Sequence, residues 1–250
     1  MTGILLIDKP ESWTSNDVVQ KLRGVLRERR IGHAGTLDPM ATGLLTAFVG
    51  RATRAVEFAE ADAKCYRAAL RLGLETNTQD ITGTVLQQRE VEVTQSELEQ
   101  ALLRFQGEIM QTPPMYSAIK VNGERLYKLA RRGEAVERAA RKITIHSLQL
   151  VGREGEDWIL DIHCSKGTYI RTLCHDIGEA LSCGGCMAAL RRTQAGAGGL
   201  PVASANGRNR CCSNYVRTIS PNAQHSIGFL EVQTTHGTNC WCRPSQGETH

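Results

Sequence analysis

Gly32-His33-Ala34-Gly35-Thr36-Leu37-Asp38-Pro39-Met40-Ala41-Thr42-Gly43-Leu44-Leu45 sets one carboxylate, Asp38, in a run of small residues, with a histidine five positions before it and a proline directly after. Gly32, Gly35 and Gly43 permit backbone shapes and close approaches that a Cβ would block. Pro39 fixes its own φ and steers Asp38 towards an extended or turn conformation. An isolated Asp-Pro is most often an ordinary turn ahead of a buried helix or strand. Here the apolar run Leu44, Leu45, Ala47, Phe48, Val49 follows at once, which makes Asp38 a positioned acid rather than a mobile surface charge.

Working outward, Ile4 to Ile7 reads as a first strand rather than a signal peptide, because no charged n-region or cleavage site accompanies it. Val18, Val19, Leu22, Val25 and Leu26 have helical spacing, with Ser15 or Asn16 as the expected N-cap. Tyr66 to Leu74 reads as a strand, and Thr94 with Glu97 opens a helix through a capping box. Ile143 to Val151 and Trp158 to Cys164 alternate like paired strands, with Gly152 and Gly155 marking the turn, and Ile170 to Leu181 has one apolar helical face.

The 250 residues carry 30 Lys and Arg against 26 Asp and Glu, a formal charge of +4 that does not by itself define a nucleic-acid binder. Basic residues do cluster, at Arg23, Arg27, Arg29 and Arg30, at Arg131, Arg132, Arg138, Arg141 and Lys142, and at Arg191 and Arg192. Such clusters form either phosphate-binding stripes or solvated helix faces. No apolar run is long enough to span a membrane, and the nine cysteines fit reduced thiols in a cytoplasmic protein. Cys183 and Cys186 have metal-ligand spacing, but the remaining cysteine intervals do not form the two spaced pairs of a structural zinc site. No glycine-rich loop has nucleotide-binding context, so no cofactor is expected.

Four further segments complete a series: Asp8-Lys9-Pro10-Glu11-Ser12-Trp13-Thr14-Ser15, Lys64-Cys65-Tyr66-Arg67, Cys164-Ser165-Lys166-Gly167-Thr168-Tyr169-Ile170-Arg171 and Ala189-Leu190-Arg191-Arg192-Thr193. Together with the Asp38 segment they resemble, in order, the motifs of bacterial TruB-type tRNA pseudouridine synthases, over Gly3 to Gln194; Ser12 stands where that family usually has glycine. The resemblance implies an α+β fold with a mixed, largely antiparallel central sheet, flanking helices and an inserted RNA-contacting segment at 113–138. It implies isomerisation of uridine 55 to pseudouridine in the tRNA T-loop, by a monomer that needs no cofactor, metal, membrane or obligate protein partner.

On that resemblance Asp38 is the catalytic carboxylate, attacking C1′ or removing the C2′ proton. Arg171 keeps it charged and aimed, since the planar guanidinium suits a fixed carboxylate. Tyr66 and Tyr169 bound the flipped uracil, Leu190 closes the pocket, and Arg191 and Arg192 offer phosphate contacts. His33 fills the space the base vacates or touches the flipped nucleotide.

Residues 196–250 contain no lysine, no aspartate and two leucines, with no sustained periodicity. The expected organisation is therefore a catalytic domain over 1–195 and a poorly ordered tail over 196–250, consistent with out-of-frame coding and replacing the usual C-terminal RNA-binding domain. That tail keeps open an alternative, a catalytically impaired or inactive RNA-binding product.

Overall fold

The computed structural model describes residues 1–60, 63–121, 123–196 and 198–199; the expectation of a disordered tail falls almost wholly outside them. The chain runs β1 (Gly3–Lys9), α1 (Ser15–Leu26), β2 (Ile31–Ala34), β3 (Thr42–Val49), a 3-10 turn (Gly50–Ala55), α2 (Val56–Glu60), β4 (Lys64–Leu72), β5 (Leu74–Thr76) and β6 (Val85–Gln88). It continues with α3 (Gln95–Leu103), β7 (Gly107–Gln111), β8 (Lys120–Val121), β9 (Glu124–Arg125), α4 (Leu126–Arg131), β10 (Arg141–Glu154), β11 (Asp157–Cys164), α5 (Ile170–Ala180), β12 (Gly185–Ala195) and β13 (Gly198–Gly199).

The main sheet has the order β1-β3-β12-β4-β11-β10-β7, with β2 added to β3 and β13 to β12. Among the strands of the described residues only the β3–β12 pairing is parallel and the other ladders are antiparallel, so the sheet is mixed as the resemblance implied. That parallel contact is short, Thr42 and Gly43 against Arg191 and Arg192, and it joins two halves with separate cores. In one half α1 lays Val18, Val19 and Leu22 on Ile7, Ile31, Leu45, Ala47 and Val49. In the other, Ile170, Leu173, Cys174 and Ile177 of α5 and Leu98 and Leu102 of α3 cover Ala68, Leu70, Ile145, Leu160 and Ile162. Each fully buried leucine or isoleucine there contributes about 1.5–3 kcal/mol.

Two local readings change. Neither Ser15 nor Asn16 caps α1: Thr14 does, accepting from the Asp17 N–H at 3.0 Å while the Thr14 N–H donates to Asp17 Oδ2 at 2.8 Å. Ser15 is buried instead, because its hydroxyl is needed by the loop that carries Asp38. The turn between β10 and β11 lies at Gly155, with φ +60°, while Gly152 stays within β10 beside a register shift. The predicted insertion at 113–138 holds the β8–β9 hairpin and α4.

Candidate active site

Asp38 follows β2 in a turn closed by the Ala41 N–H donating to the Asp38 carbonyl at 3.1 Å. Pro39 occupies the second position of that turn, where its fixed φ is favoured. The loop is braced from several sides. Ser15 exchanges two hydrogen bonds with the Leu37 backbone, at 2.9 and 3.1 Å. The Ser12 N–H donates to the Pro39 carbonyl at 2.9 Å. Lys9, fully buried, donates through Nζ to the carbonyls of Trp13, Pro10 and Pro39 at 2.6, 2.9 and 3.2 Å. Desolvation lowers the Lys9 pKa to about 8, with Asp38 opposing the shift.

Arg171 projects from the first turn of α5, where a cation gains nothing from the helix dipole. Its Nε stands 3.0 Å from Asp38 Oδ2, as the sequence implied. The guanidinium plane is fixed by three other groups: Nη1 donates to the Thr78 carbonyl at 3.0 Å, Nη2 donates to the Tyr116 carbonyl at 2.8 Å, and Asp80 Oδ2 lies 3.6 Å from Nη1. Asp80 is buried, and its Oδ1 accepts from the Thr78 hydroxyl, the Thr82 N–H and the Thr82 hydroxyl at 2.8, 3.0 and 2.6 Å. The Asp38 side chain remains 41% exposed while crowded by protein on its other sides. That crowding raises its pKa above the usual aspartate value; Arg171 and Lys9 oppose the shift and Asp80 adds to it.

Tyr66 lies on β4 opposite Arg192, buried in the cluster that includes Leu37, Ala41 and Leu190. Burial raises its pKa despite the opposing charge of Arg192, so the hydroxyl stays protonated at neutral pH. Tyr169, at the N-cap of α5, is half-buried, and desolvation raises its pKa. The charge of Asp38 reaches both phenols. The structure thus brings Arg171 onto Asp38, with Tyr66 and Tyr169 close enough to feel the Asp38 charge and Leu190 packed in the same cluster as Tyr66. His33 sits half-buried on β2 opposite Ala47, and its proposed role rests on the motif.

The phosphate-binding reading is corrected for Arg192, while Arg191 is exposed in part and paired with an acid. Arg192 is buried, donating to the Leu44 carbonyl at 2.7 Å and the Gly35 carbonyl at 2.9 Å, and Arg191 pairs with Asp8 through two contacts of 2.9 and 2.6 Å. Much of the 131–142 cluster is likewise engaged: Arg132 with Glu124 and Glu134, Arg138 with the Pro113 carbonyl, Lys142 with Glu108. Sequence reasoning passed over Asp80 and Gln111. A threonine on each side at two residues' distance was the only sign of the Asp80 turn.

The mixed, mostly antiparallel sheet with its few helices is the pseudouridine-synthase fold. A model of the TruB family pseudouridylate synthase N-terminal domain matches residues 23–170, and one of the tRNA pseudouridylate synthase B C-terminal domain matches residues 171–202. The chain belongs to the TruB family. Proteins named tRNA pseudouridine synthase B are 52% identical to it, from Alkaliphilus oremlandii over 77% of this chain and 64% of theirs, and from Clostridium kluyveri over 78% and 68%. The chain therefore spans about two thirds of the length of these relatives. A solved structure titled as a Cbf5-Nop10-Gar1 complex superposes with a TM-score of 0.62 at 31% identity, over 78% of this chain and 49% of that one.

Proposed function

We propose that this chain converts uridine 55 of the tRNA T-loop to pseudouridine, with Asp38 as the catalytic carboxylate. The observation that carries the reading is the Asp38–Arg171 pair, a partly open carboxylate held by a buried guanidinium. The names of the relatives supply the substrate class. In the reaction the bond from C1′ to N1 breaks, the uracil turns, C5 bonds to C1′, the C5 proton leaves and N1 gains one. Ionised Asp38 either attacks C1′ or takes the C2′ proton. The target base must leave its stack to expose these atoms.

Around that base, Tyr66 and Tyr169 bound the ring, Leu190 supplies an apolar wall and His33 contacts the flipped nucleotide. Tyr66 with its raised pKa suits packing and hydrogen-bond donation better than proton removal. Residues 113–138 would contact RNA, since α4 is tied through the Tyr127 N–H to the Ser117 carbonyl, next to Tyr116, whose own carbonyl holds Arg171.

The test is tritium release from an unmodified tRNA transcript labelled at uracil C5. Release from the wild-type transcript, absent when position 55 is cytidine, is expected. A folded protein that binds this tRNA and releases no tritium would refute turnover and favour the inactive RNA-binding alternative.

A further inference from the structure

We propose that Gln111 is a positioning residue for the Asp38–Arg171 pair, fixing through the Tyr169 peptide where α5 presents Arg171. Gln111 is the last residue of β7 and only 2% exposed. Its Oε1 accepts from the Tyr169 N–H at 2.8 Å and its Nε2 donates to the Tyr169 carbonyl at 3.1 Å. One side-chain amide thereby copies the two-bond pattern with which a strand sets its neighbour's register. Tyr169 has no capping hydrogen bond from its own side chain, so the start of α5 takes this anchor from another element.

The same segment grips Arg171 directly. Five residues after Gln111, the Tyr116 carbonyl accepts from Arg171 Nη2 at 2.8 Å. Tyr169 and Arg171 are thus both tied to residues 111–117, the root of the segment proposed to contact RNA. A buried glutamine serves packing no better than methionine, whereas loss of its amide leaves a backbone N–H and carbonyl beside the site without their partner. The groups that act on Asp38 are Arg171 from α5, Asp80 from the loop after β5 and Lys9 from β1, and the charge of Asp38 acts in turn on Tyr66 and Tyr169. Loosening Arg171 leaves the desolvation of Asp38 less opposed.

The activity arm of the test rests on the function proposed above; a second arm does not. Gln111→Met and Gln111→Glu would be compared with wild type in single-turnover rate at saturating tRNA, in tRNA affinity, and in the 13C titration of the Asp38 carboxyl, identified by its loss in Asp38→Asn. The methionine lacks both hydrogen bonds, and the glutamate can accept but not donate. The expected result is a rate reduced about 10- to 100-fold, with affinity within about twofold, since small misplacements of catalytic groups have effects of this size. The Asp38 titration and the acid limb of the rate should both move to higher pH. An unchanged rate and titration would overturn the proposal, and so would a lower rate with an unmoved Asp38 titration, which would leave Gln111 a packing role. Should Gln111→Met fail to fold, Gln111→Glu carries the same comparison. Wild-type protein without turnover would defeat the proposed function, while the Asp38 titration would still decide the role of Gln111.

Discussion

Arg171 gives Asp38 a single nitrogen, Nε at 3.0 Å, because Nη1 and Nη2 are engaged by Thr78, Tyr116 and Asp80. The arginine is therefore held by the protein before it holds the carboxylate. A cation fixed in this way lowers the cost of keeping Asp38 ionised without covering its exposed side.

Replacing Asp38 by asparagine separates chemistry from stability. The amide keeps the shape but is neither nucleophile nor base, so turnover should fall about 10³-fold or more while tRNA affinity holds. Burial raises the Asp38 pKa, so the ionised form opposes folding once pH exceeds that pKa. Asp38→Asn should therefore melt no lower than wild type at neutral pH. Retention of a tenth of the wild-type rate would dismiss the assigned role.

The same shift predicts the pH profile. The single-turnover rate should decline on acidification with a midpoint above the ordinary aspartate value of 3.8, as Asp38 takes up a proton. Arg171→Lys should move that midpoint higher still and slow turnover about 10²-fold, because lysine lacks the planar fork. A rate profile flat down to pH 3.8 would show that ionised Asp38 is not required.

The parts of this site that were legible in sequence are those set by local chemistry. Asp38-Pro39 reads as a turn from its own dihedral limits, and Arg171 stands out because a cation in a first helical turn needs an external reason. What stayed hidden depends on segments distant in the chain. Nothing local to Lys9 says that its ammonium will meet the carbonyls of Pro10, Trp13 and Pro39, and nothing local to Gln111 points to Tyr169, 58 residues on. Arg191 and Arg192 misled for the same reason. A basic pair on a strand looks like two phosphate contacts until β12 lies beside β3, which buries Arg192 and leaves the more exposed Arg191 paired with Asp8.

Lys9 should leave a trace in stability at alkaline pH. Its folded pKa of about 8 lies below the ordinary lysine value of 10.5, so between these values the unfolded chain binds more protons and this group's contribution to stability rises with pH. Below pH 8 the full cost of burying the cation is present. Lys9→Met removes that cost but leaves three carbonyls without their donor, worth about 1–3 kcal/mol for each buried group. The variant should be less stable at neutral pH, and the deficit should widen from pH 8 to 10.5. Urea unfolding at several pH values measures this; a deficit that narrows over that range would contradict the assignment.

Two glycine substitutions should act with opposite signs. Gly43 has φ +96°, and a Cβ there would meet the Arg192 carbonyl oxygen at 2.3 Å and the Arg192 nitrogen at 2.9 Å. Both atoms are backbone, so Gly43→Ala must push β3 away from β12 at the one parallel contact that joins the two halves of the sheet. The same displacement disturbs Arg192, which ties Leu44 and Gly35 together and lies opposite Tyr66. Strain and overpacking together should destabilise by about 2–4 kcal/mol and lower turnover as well. Gly24 lies inside α1 with nothing within 4 Å of a built Cβ, so Gly24→Ala should stabilise by about 0.5–1 kcal/mol with turnover unchanged. Urea midpoints at constant m give both values. A Gly43→Ala variant as stable as wild type would mean that β3 and β12 are not joined in this way.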